Sequence, residues 1–315
     1  MCIAKKRLEE DKGLVTLEGS LIMSLRTINK KVSSLILPIF SICFVILLAA
    51  CSDPSGGTGN GIPSLPNDVS GQATVATLKH SPTGTTELSW NPEDQKLTVK
   101  ISLTGLAPNS SHAAHIHAGT CAADGAVVYP LNTIVANAEG AATSETTIEH
   151  VQKGIPASGW YINIHNGLKM TAIEHMPIAC GNVTNSNTST NDKQEVHVVL
   201  GGSTAPNESA SGKAELATAD GKVTLKITLS GLEPNSKHIA HIHAGSCEAQ
   251  GAVVVMLNPV VADAQGNGTS VTTIDKVPSA SKGLYVNVHM GATMDELKQS
   301  VFFNPIACGN LPVKY

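Results

Sequence analysis

From Leu97 to Gly119 the chain reads LTVKISLTGLAPNSSHAAHIHAG, and 126 residues later, from Val223 to Gly245, it reads VTLKITLSGLEPNSKHIAHIHAG. Two further pairs follow: GWYINIH (Gly159 to His165) answers GLYVNVH (Gly283 to His289), and PIACGN occurs at Pro177 to Asn182 and again at Pro305 to Asn310. A chain that writes one pattern twice must build one fold twice. Each copy carries its own apolar pattern and its own cysteine pair, so the expectation is two domains, residues 71–182 and 194–315, rather than a solenoid. Residues 183–193, opening on the polar stretch VTNSNTSTND, read as a short linker. Residues 51–70 are rich in Gly, Pro and Ser and read as a flexible one.

Within a copy the period is two. Leu97, Val99, Ile101 and Leu103 alternate with polar residues, as do Val223, Leu225, Ile227 and Leu229, which predicts antiparallel strands with one buried face. Each strand ends in a turn rich in Gly, Pro and Asn, where Pro fixes φ and Asn tolerates the left-handed region. Helical periodicity is almost absent; a single helical turn is expected around Met294 to Gln299. The pattern predicts an all-β chain of two tandem Greek-key sandwich or barrel domains. Aromatics are only 3% of the residues, so the core must come from Val, Ile, Leu and Ala.

Ahead of the repeats, a basic region (Arg26, Lys30, Lys31) precedes an apolar run from Leu35 to Ala50 that ends in Leu-Ala-Ala-Cys51. Small residues before a cysteine at the close of such a run resemble the lipobox of bacterial lipoproteins, in which the thiol of the new N-terminal cysteine is acylated. Residues 1–50 are then an upstream segment and a lipoprotein signal peptide, with Met23 the better start. Cys51 is the expected lipidation site and tethers the protein to a membrane outside the cytoplasm. A retained transmembrane helix is the competing reading; Pro38 interrupts the run and its length is marginal. Without residues 1–50 the chain has 14 basic and 21 acidic side chains, a net charge of −7. Nucleic acid, which calls for a basic stripe, is not an expected partner.

Of seven cysteines, Cys121, Cys180, Cys247 and Cys308 remain after the leader and Cys51 are set aside. An even number in an exported chain implies two disulfides. Four cysteines allow three connectivities, and the repeat selects pairing within each copy: Cys121 with Cys180, and Cys247 with Cys308. Each closes a loop of about 60 residues, worth roughly 4 kcal/mol on a chain-entropy account.

Strand alternation also decides which histidines can meet. His115 and His117 flank Ile116 and leave their strand on one face; Tyr161, Asn163 and His165 share a face of another. If those strands are neighbours, three imidazoles converge, and His241, His243 and His289 repeat the set. A His-x-His pair alone is commonly packed or solvated. A third histidine in phase, and duplication of the whole, point to metal.

GLAPNSSHAAHIHAGTC followed by the GWYINIH and IACG segments resembles the chordin-type CHRD domain and, more distantly, the copper/zinc superoxide dismutase fold. The two copies cover nearly all of the chain after Ser70. What the dismutase resemblance implies is three copper ligands per domain, at His115, His117 and His165 and at His241, His243 and His289. It also implies a structural histidine at His112 and His238, and it matches the disulfide pairing. The departures are specific. Val127 and Val253 stand where that family bridges two metals with histidine, so copper but no zinc is expected, up to one ion per domain. Pro177 and Pro305 stand where it has the arginine that steers superoxide.

The expected function is therefore that of a surface-anchored lipoprotein with two binding domains for an extracellular ligand or protein, and copper at the tri-histidine sites. The alternatives are a copper-dependent dismutase-like enzyme, and a structural or adhesive module whose histidines only hydrogen-bond one another. Met170 and Met294 read as core; His80, His150, His175 and His197 read as surface. The glycines of GGTGNG (Gly56 to Gly61) follow no strand and are not a nucleotide loop.

Overall fold

The computed structural model describes residues 74–169, 171–219, 221–277 and 281–312. The leader with Met23, Cys51, the 51–70 linker and Met170 lie outside the described residues. The first copy forms β1 (Thr74–Leu78), β2 (Thr83–Asn91), β3 (Lys96–Thr104), β4 (Ser111–His112), β5 (Ala114–Ala118), β6 (Val127–Pro130), β7 (Ile134–Val135), β8 (Ala142–Ile148), β9 (Trp160–His165), a one-turn helix α1 (Ala172–His175) and β10 (Pro177–Asn182). The second repeats the order: β11 (Gln194–Leu200), β12 (Ser211–Ala219), β13 (Lys222–Ser230), β14 (Lys237–His238), β15 (Ala240–Gly245), β16 (Gln250–Met256), β17 (Val260–Ala262), β18 (Gly268–Ile274), β19 (Leu284–His289), a 3-10 turn (Glu296–Lys298), α2 (Ser300–Phe303) and β20 (Pro305–Leu311). The fold is all-β, in two tandem β-rich domains.

Alternation behaves as the sequence requires. In β3, Leu97, Val99, Ile101 and Leu103 are 0–2% exposed, while Lys100 and Ser102 between them face solvent. The following turns place Asn109 and Asn235 at φ of 59° and 62°, the left-handed region that Asn tolerates. The helical turn expected near Gln299 is present as the 3-10 turn and α2. Met294, expected in the core, is 47% exposed, because the loop before that turn carries it outward. The disulfides are Cys121–Cys180 and Cys247–Cys308, each with its Cα atoms 5.9 Å apart.

The sheets, however, do not follow the repeats. The first domain packs β11-β2-β3-β8 against β10-β9-β5-β6; the second packs β1-β12-β13-β18-β17-β14 against β16-β15-β19-β20. Each copy has lent its first strand to the other. Thr74–Leu78 runs antiparallel to Gly212–Leu216, and Gln194–Leu200 runs antiparallel to Gly84–Trp90. Ala76 and Leu78 fill the core of the second domain, and Val196, Val198 and Leu200 that of the first. Single bridges, Lys79 with Cys308 and Cys180 with Gly201, carry each lent strand on to the opposite sheet of its host. The structural domain thus differs from the sequence repeat by one strand in each direction.

Residues 183–193 explain half of the exchange. Leaving β10 at the edge of the first domain, the chain is fastened to that domain: Val183 N–H donates to Trp160 O, and the Asn185 side chain donates to Ile155 O. Val183 and Asn185 are 1% and 5% exposed, so the polar linker is a strap rather than a free tether. So short a strap makes the first domain's open edge the nearest partner for β11. The vacancy this leaves in the second domain is filled by β1.

Candidate metal centre

The β5–β9 pairing sets the site. Its register places His115 opposite Asn163 and His117 opposite Tyr161, while Ile116, Ile162 and Ile164 point the other way into the core. His165 ends β9 on the same face as Tyr161 and Asn163. In the second copy β15 and β19 pair His241 with Asn287 and His243 with Tyr285, and His289 ends β19. Two groups result, His115/His117/His165 and His241/His243/His289, with one ring nitrogen from each member lying within 4.8 Å of the others.

Backbone carbonyls fix the tautomers. A ring nitrogen that faces a carbonyl must carry the proton, which leaves the other nitrogen as a lone pair. His117 Nδ1 donates to Gly125 O at 2.9 Å, and His243 Nδ1 to Gly251 O at 3.0 Å. His165 Nδ1 donates to His175 O at 2.7 Å, and His289 Nδ1 to Phe303 O at 2.6 Å. The Nε2 lone pairs of all four are thereby turned inward, the arrangement that metal-ligating histidines use. His115 Nδ1 lies 3.1 Å from His165 Nε2, and His241 Nδ1 lies 3.2 Å from His289 Nε2.

His112 and His238 have the opposite strand parity and a different task. Both are buried, at 0% and 2% exposure. Their Nδ1 atoms donate to the carbonyls of His165 and His289, each at 3.0 Å, and their Nε2 atoms accept from Ser110 and Ser236 hydroxyls at 2.6 and 2.8 Å. They hold the backbone of the late histidine in each group.

Burial keeps five of the six grouped imidazoles neutral. It pushes His115 down to about 4, aided by repulsion from His165, His117 and His175, and His241 down to about 4, aided by His243. His289 is pushed down to about 3, again mainly by burial. His165 and His243 are lowered for the same reason.

The residues fit a metal ion. Buried polar groups normally find partners, yet His117 Nε2, His241 Nε2, His243 Nε2 and Asn163 Oδ1 have none, nor do either amide atom of Asn287 or the Tyr285 hydroxyl. Orphaned atoms also occur on His80, Thr86, Glu208 and Gln250, but the ring nitrogens of His117, His241 and His243 belong to the two trios. An orphaned buried polar group costs about 1–3 kcal/mol, and the unused lone pairs of His117 Nε2 and His243 Nε2, one in each trio, are what a cation would satisfy. The donors are all neutral imidazole, a set that suits copper, zinc, iron or nickel more than magnesium or calcium.

His175, read from sequence as a surface residue, belongs to the first site. It is exposed, but its ring lies 4.8 Å from that of His165. Phe303 holds the corresponding place in the second site, 4.5 Å from His289. Each stands two residues before its Pro-Ile-Ala-Cys segment, and alignment on that segment would have paired them. Asp124 was also missed; it accepts a hydrogen bond from the Tyr161 hydroxyl at 3.4 Å. His80, read as surface, is partly buried where β1 passes between the domains, its Nε2 donating to Ile178 O at 2.9 Å. His150 and His197 are exposed.

No curated protein matches the chain in sequence. A family model does: the CHRD domain matches in two copies, at residues 65–169 and 188–294. Both stretches contain the histidine groups just described, and together they span about two thirds of the sequence. The chain belongs to the CHRD domain family.

Proposed function

We propose that this is a lipid-anchored binding protein of the extracytoplasmic surface which holds one copper ion in each tri-histidine site. The observation that carries the reading is the pair of orphaned buried imidazole nitrogens, His117 Nε2 and His243 Nε2, one in each trio. Hydrogen bonding among the histidines alone, as in a structural or adhesive module, leaves those atoms unsatisfied. Copper is preferred to zinc because imidazole sites follow the Irving–Williams order, in which Cu(II) binds most tightly.

His115, His117 and His165 would hold the ion in the first domain, and His241, His243 and His289 in the second. A copper ion so held supplies Lewis acidity and a one-electron couple. The chain's own part is to fix the imidazole tautomers through the Gly125, Gly251, His175 and Phe303 carbonyls and to keep His115, His165, His241, His243 and His289 neutral by burial. Binding favours a carrier or receptor over a dismutase: the cleft beside the first site is lined by Val127, Pro177 and the acidic Asp124, and none of these would draw in an anion.

Elemental analysis after copper loading and dialysis tests the reading. Two copper ions per chain are expected, about one in His117→Ala and none when His243→Ala is added, with melting curves verifying that each variant folds. Unchanged uptake in the folded double variant contradicts it. The anchor is tested separately: Cys51→Ala should free the protein from membranes or leave it unprocessed, and a processed variant still on membranes refutes the lipid attachment.

A further inference from the structure

The two sites share their three histidines and differ in what surrounds them. In the first, His115 is partly exposed and His117 and His165 are 6% and 3% exposed. A cavity of 380 Å³ reaches the His117 and His165 rings, lined also by Asp124, Tyr161 and His175. In the second, His241, His243 and His289 are 1%, 1% and 0% exposed. Phe303 lies over them, its ring 4.5 Å from His289 and 6.2 Å from His243. Where the first copy has Asp124 the second has Gln250, whose side chain turns away to donate to Leu106 O of the other domain at 2.9 Å. Substituting a phenyl ring for an imidazole and an amide for a carboxylate removes both polar groups from the mouth of the second site.

We infer that the two metal sites are inequivalent: the first is an open centre whose metal a small exogenous ligand can reach from solvent and whose metal exchanges readily, while the second is a closed centre that allows neither. This rests on the proposal that both sites bind copper. In the first site His117 and His165 line the cavity, so a metal held by the trio would be reached from solvent, and His175 and Asp124, lining the same cavity, could hand an ion to the ligands or hydrogen-bond a molecule bound there. In the second site Phe303 occupies that approach, so an entering or leaving group must wait for the α2 segment to open.

The test uses the full chain loaded with two equivalents of Cu(II), in two readouts. Transfer of copper to excess EDTA should be biphasic, one ion in each phase, with rates at least about tenfold apart, the ratio set by about 1.4 kcal/mol of opening free energy. Titration with azide should produce a ligand-to-copper charge-transfer band of one-site stoichiometry. His243→Ala should keep the fast phase and the azide band; His117→Ala should keep only the slow phase; Phe303→Ala should speed the slow phase and add a second azide site. The wild-type measurement needs no variant to fold. Two bound copper ions leaving in one phase, or both answering azide, overturns this inference and leaves copper binding standing. Failure to bind two ions at the loading step overturns the copper reading and this inference with it.

Discussion

Asn304 donates its side-chain N–H to the Asn166 side-chain oxygen at 2.6 Å, across the junction of the two domains, with both residues 1% exposed. Asn166 follows His165, and Asn304 follows Phe303, whose carbonyl fixes His289. The same asparagines bind the backbone on either side: Asn166 donates to Ile173 O and Val301 O, and Asn304 accepts from Ala107 N–H at 2.8 Å. The late histidine of each site is thus braced at one buried amide pair. Removing the side chain in Asn304→Ala strands the Asn166 oxygen and the Ala107 N–H. We expect a loss of about 2–4 kcal/mol, the cost of two unsatisfied buried groups, read as a lowered urea midpoint with an unchanged m-value. An unchanged midpoint contradicts the bracing role.

The strand exchange predicts how a nicked chain behaves. Residues 186–188 are exposed, and a protease site placed there should be cut without unfolding either domain. Among the described residues no disulfide crosses that point. The fragments should therefore separate on a denaturing, non-reducing gel yet elute as one species under native conditions, because each carries a strand of the other's sheet. Separation without denaturant refutes the exchange.

Acid should unfold the metal-free protein by way of its histidines. His115 and His241 are held down at about 4 and His289 at about 3, against 6.5 when unfolded. Between pH 6.5 and about 4 the unfolded chain takes up protons that the folded chain refuses, so this contribution is fully present above 6.5 and lost as pH falls through that window. The melting temperature of the metal-free protein should drop steadily over that range, and less steeply in His241→Asn. Glu208, 3% exposed and raised by burial to about 7, acts in the opposite sense, its contribution falling as pH rises from 4.5 to 7. Equal slopes for the wild type and His241→Asn would contradict the histidine assignment.

Much of this was legible in the sequence, and the limits have physical causes. Period-two alternation fixed the buried faces of β3 and β13, and the parity of His115 and His117 around Ile116 put those two imidazoles on one face before any coordinate. The exchange of β1 and β11 was not legible, because TVATL and QEVHVVL present the same alternation to either sheet and only the path of residues 183–193 decides between them. The part played by His175 was hidden by a change of spacing. The offset between copies is 126 at His117, 124 at His165 and 128 at Pro177, so no residue stands at the expected remove. Met294 was misplaced for a related reason: a residue in a short irregular loop carries no period from which its side can be read.

Catalysis should be poor even when copper is bound. No arginine or bridging histidine stands at the first site, and Asp124 places a negative group in the cleft through which superoxide would enter. Pulse radiolysis of the copper-loaded protein should give a dismutation rate below about a hundredth of the ceiling of about 10⁹ M⁻¹s⁻¹. A rate near that ceiling, lost in His117→Ala with His243→Ala, would make the protein an enzyme.

Copper at each trio of histidines can be seen directly. A crystal of the copper-loaded protein, measured at wavelengths on either side of the copper absorption edge, tests it without recourse to any variant. The account predicts two anomalous peaks per chain, one among His115, His117 and His165 and one among His241, His243 and His289, each about 2 Å from three ring nitrogens, the usual metal–imidazole distance. Peaks at other residues, or a fully loaded crystal with none at these six histidines, would contradict it.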